Sequence, residues 1–244
     1  MVRFGKGLGF TGWKDFSNKL IEDVRYEQTH YSEIDPNIPF DQTDDLAEII
    51  KNIATIQIES IQDSADKIEL PHLKRAIEML SQARRIVVLG VSPNNLLGDI
   101  FRRKMNTIGR SVEVILSGET GITVSGLTKY DAAILISYSG NDVSREPMKF
   151  IPQMKRQGVK LIGVTSDGGN YIHQEIETIL RISFRERLYK KISNFSTEES
   201  ILFLLNILYA GVFSKNYLTN YNFKVQNSMN LEETRLLHQT DIKE

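Results

Sequence analysis

The chain contains no cysteine. That excludes a disulfide framework, a thiol nucleophile and a cysteine-ligated zinc site, and it is compatible with a reducing cytoplasm. Charge of one sign is also lacking: 30 Lys and Arg stand against 31 Asp and Glu, for a formal net charge of −1. No global positive field therefore advertises nucleic acid, although such an average conceals any local basic patch. Long apolar runs are missing as well. The opening residues, Met1-Val2-Arg3-Phe4-Gly5-Lys6, lack the apolar core of a secretory signal, and no later run approaches bilayer length. A cytoplasmic protein that does not engage a membrane is expected. Two phosphate-loop signatures are absent too: no Gly-x-Gly-x-x-Gly follows the first apolar run, and no loop ends in Gly-Lys-Ser/Thr. Nucleotide binding is disfavoured, and no cofactor or metal is expected.

What remains is an ordinary globular composition, 41% hydrophobic and 25% charged over 244 residues, enough for a medium-sized α/β domain with an extra helical arm. Between Asp44 and Ile61, Leu46, Ile49, Ile50, Ile53, Ile56 and Ile61 recur at helical spacing behind an Asp/Thr cluster suited to an N-cap, predicting a long amphipathic helix. Upstream, 29–43 carries Pro36 and Pro39 among acidic and polar residues and reads as an extended linker. Leu70-Pro71-His72 opens a second helix, with Pro71 in the tolerated first turn. From residue 86 short β-branched runs alternate with helical stretches, the pattern of a parallel sheet flanked by helices. The strands read are Ile86–Leu89, Val112–Leu116, Ala132–Ser137, Leu161–Val164 and Thr178–Ile182. Helices are expected over 94–108 and 143–157, with Gly109 and Gly158 at their C-terminal ends. A last helix over 198–213 is apolar almost all round, so it belongs in the core or an interface.

In an open parallel sheet, ligands bind beyond the carboxyl ends of the strands. Three small-polar loops stand there: Gly90-Val91-Ser92-Pro93-Asn94, Ser137-Tyr138-Ser139-Gly140-Asn141-Asp142 and Thr165-Ser166-Asp167-Gly168-Gly169. Any one of them could be turn chemistry alone. Three at one edge point to a small phosphorylated ligand, with the Ser137 and Ser139 hydroxyls and the amides of a following helix forming a socket for a dianion.

Ile134-Leu135-Ile136-Ser137-Tyr138-Ser139-Gly140 resembles the phosphate-binding signature of SIS (sugar isomerase) domains, and about 84–214 follows that domain's order of strands and helices. The resemblance implies a doubly wound five-stranded parallel sheet of flavodoxin-like type. It makes Ser137, Ser139 and Gly140 the phosphate site, and Ser92, Asn94, Thr165 and Ser166 the sugar-facing residues. Where the family has an acidic residue and Thr after the Gly, this chain has Asn141-Asp142. A second resemblance lies in Val2-Arg3-Phe4-x-x-x-Leu8-Gly9-Phe10-x-Gly12-Trp13-x-x-Phe16, which is similar to the end of the helix-turn-helix domain of RpiR-type transcriptional regulators. Read for packing alone, Phe10, Trp13 and Phe16 form an aromatic cluster after a Gly9 helix end. The resemblance implies five parts: a helix-turn-helix remnant over 1–28, the linker at 29–43, linking helices at 44–83, the SIS domain at 84–214 and a tail at 215–244. Arg3 is the candidate DNA contact. The base-reading helix of such a domain lies upstream of this segment, so DNA is expected to be read only through a more complete N-terminal domain.

The implied function is a phosphosugar sensor in a regulator of sugar metabolism, acting as a homodimer or tetramer. The alternative is a sugar-phosphate isomerase of the same family. Isomerisation needs a general base, for which Glu198 and Glu199 are the candidates, but carboxylates at a helix start also have a plain dipole role. His72 and His173 are single histidines with no visible catalytic partner. No enzymatic activity is therefore expected.

Overall fold

The protein is described by a computed structural model covering residue 7, residues 9–116 and residues 118–232. Five strands, β1 (Ile86–Gly90), β2 (Val112–Val114), β3 (Ala132–Ile136), β4 (Lys160–Thr165) and β5 (Thr178–Arg181), form one parallel sheet in the order β2-β1-β3-β4-β5. This is the expected doubly wound α/β architecture. Its side chains alternate between two buried layers, as the period of two requires. Ile86, Val88, Ala132, Ile134 and Ile136 face one layer, and Val87, Leu89, Ala133 and Leu135 face the other.

Helices α3 (Leu70–Gln82), α4 (Asn94–Asn106) and α8 (Thr197–Lys215) cover the first face. The short helices α5 (Thr120–Ser125), α6 (Ile151–Arg156) and α7 (Tyr171–Glu175) cover the second. The all-round apolar character of α8 is explained by its position: Ile201, Leu204, Leu205, Leu208 and Val212 are buried between the sheet and the helices α2 (Leu46–Asp66), α3 and α4. Among the described residues no single helix is long and apolar enough to cross a membrane.

The N-terminal arm is helical: α1 (Trp13–His30) precedes α2. The expected aromatic cluster forms at its start, with Phe16 5.4 Å from both Phe10 and Trp13. Arg3 lies outside the described residues. Helix α2 starts on a capping box, in which the Asp45 side chain accepts from the Glu48 amide at 2.9 Å. It runs five residues past the expected end at Ile61, because its buried face continues in Asp63 and Ser64 instead of apolar residues.

Three expectations need correction. The 29–43 segment is not a free linker: Pro36, Asn37 and Pro39 are buried. The Asn37 carbonyl accepts from the Ile192 amide at 2.8 Å, and the Pro39 carbonyl accepts from Asn52 at the same distance. The helix expected over 143–157 is reduced to a 3-10 turn (Met148–Phe150) leading into α6. Pro147 disfavours helical backbone at the residue before it, and Pro152 is tolerated only in a first turn. The segment after residue 215 is not simply a tail, since it holds a further helix, α9 (Tyr217–Glu232).

Candidate ligand site at the sheet edge

Strand order reverses at β1, which has β2 on one side and β3 on the other. A crevice opens at such a switch point, above the carboxyl ends of the strands. The β1–α4, β3–α6 and β4–α7 connections all emerge at this edge, and hydrogen bonds lace them together. Asn94, at the first turn of α4, is buried and donates its Nδ2 to the Ile136 carbonyl at 3.4 Å, while its Oδ1 has no partner among the described residues. Gly90 permits this approach, since a Cβ there would lie 2.9 Å from the Asn94 Cβ. Ser92 is exposed on the same turn.

The Ser137–Gly140 loop is a tight turn in which the Gly140 amide donates to the Ser137 hydroxyl at 3.2 Å. Gly140 has φ +60°, and a Cβ on it would meet the Thr165 hydroxyl at 2.7 Å, so both backbone conformation and space demand glycine. Ser137 is half-buried and Ser139 exposed. Beyond Gly140 no helix begins. The Asn141 side chain accepts from the Tyr171 amide at 3.3 Å, and Asp142 closes its own turn by accepting from the Ser144 amide and hydroxyl. The expected socket of helix N-terminal amides is thus replaced by loop backbone.

The third loop is tied to the second: the Tyr138 carbonyl accepts from the Ser166 amide at 3.1 Å and from the Thr165 hydroxyl at 3.4 Å. Thr165 was expected to face the sugar. It is instead fully buried, its hydroxyl also accepting from Asn170 at 3.1 Å, and it braces the loops. Ser166 is half-buried and stays at the edge.

Several residues that spacing did not reveal organise this edge. Glu186, 3% exposed, accepts from the Ser196 amide at 2.7 Å, the Thr197 amide at 2.9 Å and the Thr197 hydroxyl, and so caps α8 with a buried carboxylate. Tyr138 packs against Phe184. Burial pushes its phenol up from the ordinary value, and the charges of Glu198 and Glu186 add to the effect. The two candidate bases diverge. Glu199 turns to α2, accepting from Gln57 at 3.2 Å, whereas Glu198 accepts from Asn194 at 3.3 Å and stays within electrostatic reach of Tyr138. His173 lies in α7, where its Nδ1 bonds the Asn170 Oδ1 at 2.9 Å, and burial, then Arg181, lowers its pKa. His72 accepts the Ile179 amide at 3.1 Å, a bond that docks α3 on β5. A groove of about 1150 Å³ opens beside the third loop, between α1 and Asp167, Arg181 and Phe184. Its lining includes none of Ser92, Asn94, Ser137, Ser139, Gly140 or Ser166.

Residues 79–208 match the SIS domain family. An HTH-type transcriptional regulator of Clostridium perfringens is 22% identical over 217 residues, spanning 89% of this chain and 76% of that protein. Among solved structures, NanR of Vibrio vulnificus complexed with ManNAc-6P superposes with a TM-score of 0.68 at 18% identity, over 97% of this chain and 81% of that one. The sugar isomerase domain of an RpiR transcription factor from Sphaerobacter thermophilus gives 0.64 at 14% identity, over 74% and 98%. A phosphoheptose isomerase of Francisella tularensis gives 0.55 at 12% identity, over 70% and 100%.

Proposed function

Since the chain belongs to the SIS domain family, we propose that its sheet edge binds a phosphorylated sugar as the effector of a transcriptional regulator of sugar metabolism. The carrying observation is the Ser137–Gly140 turn at the strand-order switch, with Ser139 exposed, Asn94 at the adjoining start of α4 and Ser166 on the adjoining loop. Hydroxyls and backbone amides arranged on a positive-φ glycine turn suit a dianion better than a neutral ligand. In this reading Ser137, Ser139 and Gly140 hold the phosphate, and Ser92, Asn94 and Ser166 meet the sugar. The ligand named for the Vibrio vulnificus relative, ManNAc-6P, makes amino-sugar phosphates the first candidates. The relation to HTH-type regulators supports DNA as the downstream partner, engaged through a helix-turn-helix domain and not through the sheet edge, in the cytoplasm. A homodimer is the working unit. Leu46, Ile50 and Ile58 leave an apolar stripe along α2, and α9 exposes Tyr217, Leu218 and Leu231, more exposed apolar surface than a monomer needs.

The protein is a sensor and not an isomerase in this reading. Glu199 is turned to α2, and Glu198 is the one candidate left beside the site. Calorimetric titration with a panel of hexose and amino-sugar phosphates is expected to give binding of at least one member. The same compounds, assayed for aldose–ketose interconversion, are expected to show no turnover. Turnover that Glu198→Gln abolishes would establish the enzyme instead.

A further inference from the structure

Helix α1 has no buried residue, so apolar burial does not hold it in place. Polar bonds to the far end of α2 do so. The Tyr26 hydroxyl donates to Asp63 at 2.7 Å, and His30 lies 3.3 Å from Asp66. Asp63 is fully buried. Burial would push its carboxyl up, but the nearby Ser183, the Tyr26 hydroxyl bond and the Lys67 ammonium outweigh burial and hold it below the ordinary value. Lys67 lies 3.0 Å from Asp63 and 3.1 Å from Asp167. It is one cation shared by two carboxylates on different elements.

Asp167 is the tip of the β4–α7 loop. It follows Ser166, whose amide bonds the Tyr138 carbonyl in the middle of the phosphate turn, and it precedes Gly168 and Gly169, both at positive φ. Arg181 of β5 holds the other Asp167 oxygen at 3.1 Å. An unbroken chain of bonds therefore runs from the Ser137–Gly140 turn through Tyr138, Ser166, Asp167, Lys67 and Asp63 to Tyr26. Its weakest joint is the half-exposed Asp167, next to two glycines that let the loop tip swing.

We propose that the Asp167–Lys67–Asp63–Tyr26 chain transmits ligand occupancy to the N-terminal arm: closure of the phosphate turn moves Asp167, which redistributes Lys67 between its two carboxylates and so loosens or tightens α1. This regulatory role rests on the sugar-phosphate reading of the site. The mechanical link itself does not. Two elements whose equilibria are biased by one shared cation are coupled, and the coupling is reciprocal.

Hydrogen–deuterium exchange of the α1 amides tests both levels. Without ligand, Asp167→Asn is expected to speed exchange in α1 about threefold or more, although residue 167 does not belong to α1, and Tyr26→Phe to do the same. The double variant is expected to go no further than the stronger single one, because both cut the same chain. An Asp167→Asn variant with wild-type α1 exchange, or effects that simply multiply, would overturn the link. With a saturating hexose or amino-sugar phosphate from the panel, α1 exchange is expected to change in the wild type. In Asp167→Asn the ligand is expected still to bind by calorimetry without that change, and Asp167→Glu, which keeps the charge, to restore it. An α1 response retained in Asp167→Asn would overturn the transmission role. If the wild type binds no sugar phosphate, the site reading and the transmission role fall together, and the ligand-free comparison alone decides whether the mechanical link stands.

Discussion

Asp131 opens the strand that ends at the phosphate turn, and its carboxylate locks the opposite edge of the sheet. Arg84 donates to both its oxygens at 3.1 Å, and the Thr128 amide and hydroxyl donate at 2.8 and 2.9 Å. Burial acts to raise its pKa, but Arg84 and Thr128 together outweigh burial and lower it. A depressed carboxylate stabilises the fold at pH values above its unfolded pKa of about 3.9, and that contribution is lost as the pH falls toward the folded value. Hydrogen bonds to a charged acceptor are worth about 1.5–3 kcal/mol, but Arg84 is largely exposed and screened, so Asp131→Asn is expected to cost about 1–2 kcal/mol at pH 7. The cost should shrink as the pH falls through the depressed folded value, where the wild-type carboxyl becomes protonated as well. Urea denaturation of both proteins from pH 7 to 3 checks the sign, and a cost that grows with acid would refute the assignment.

Among the elements, α4 matters most for the site, because its first turn carries Asn94 and its position is set by one residue. A Cβ on Gly98 would lie 2.9 Å from the Val88 side chain and 3.5 Å from that of Val114. Alanine there recovers roughly 1 kcal/mol of helix propensity, but its Cβ would press on the buried, stiff Val88 side chain, so Gly98→Ala is expected to be modestly destabilising. Valine adds two more carbons where none fit, at about 1–3 kcal/mol. Gly98→Val is therefore expected to lower the urea midpoint and to weaken sugar-phosphate binding by displacing Asn94. Unchanged binding in a folded Gly98→Val protein would show that α4 does not position the ligand.

Element by element, the sheet was legible because alternating β-branched runs are a direct consequence of two-sided burial, and Ile86–Leu89 and Ala132–Ile136 show it plainly. The end of α2 was not, because its buried positions there are Asp63 and Ser64, which carry no apolar period. The 143–157 stretch looked helical by composition, yet Pro147 and Pro152 divide it. The packed 29–43 segment was hidden for a related reason: its proline and asparagine are buried by backbone and amide hydrogen bonds that leave no hydrophobic pattern.

At the scale of the whole molecule, spacing alone could place the three loops at one edge, since each follows a parallel strand. It could not tell which hydroxyls face outward. Thr165 and Ser166 are neighbours in sequence, but one braces the loops from within and the other remains at the edge. The Lys67–Asp167 pair joins the end of α2 to a loop far along the chain, and Glu186 reaches the start of α8 across an irregular stretch, so only the folded structure brings them together.

The central claim is that the turn after β3 holds the phosphate of a sugar ligand. The measurement that tests it most directly is calorimetric titration of the wild type and the Ser137→Ala/Ser139→Ala double variant with the tightest-binding sugar phosphate of the panel. Two lost hydrogen bonds to a charged group predict affinity weaker by about a hundredfold or more. The fold should lose only about 1 kcal/mol, for the bond from the Gly140 amide to Ser137. A double variant that stays folded and binds the same sugar phosphate as tightly as the wild type would contradict the account.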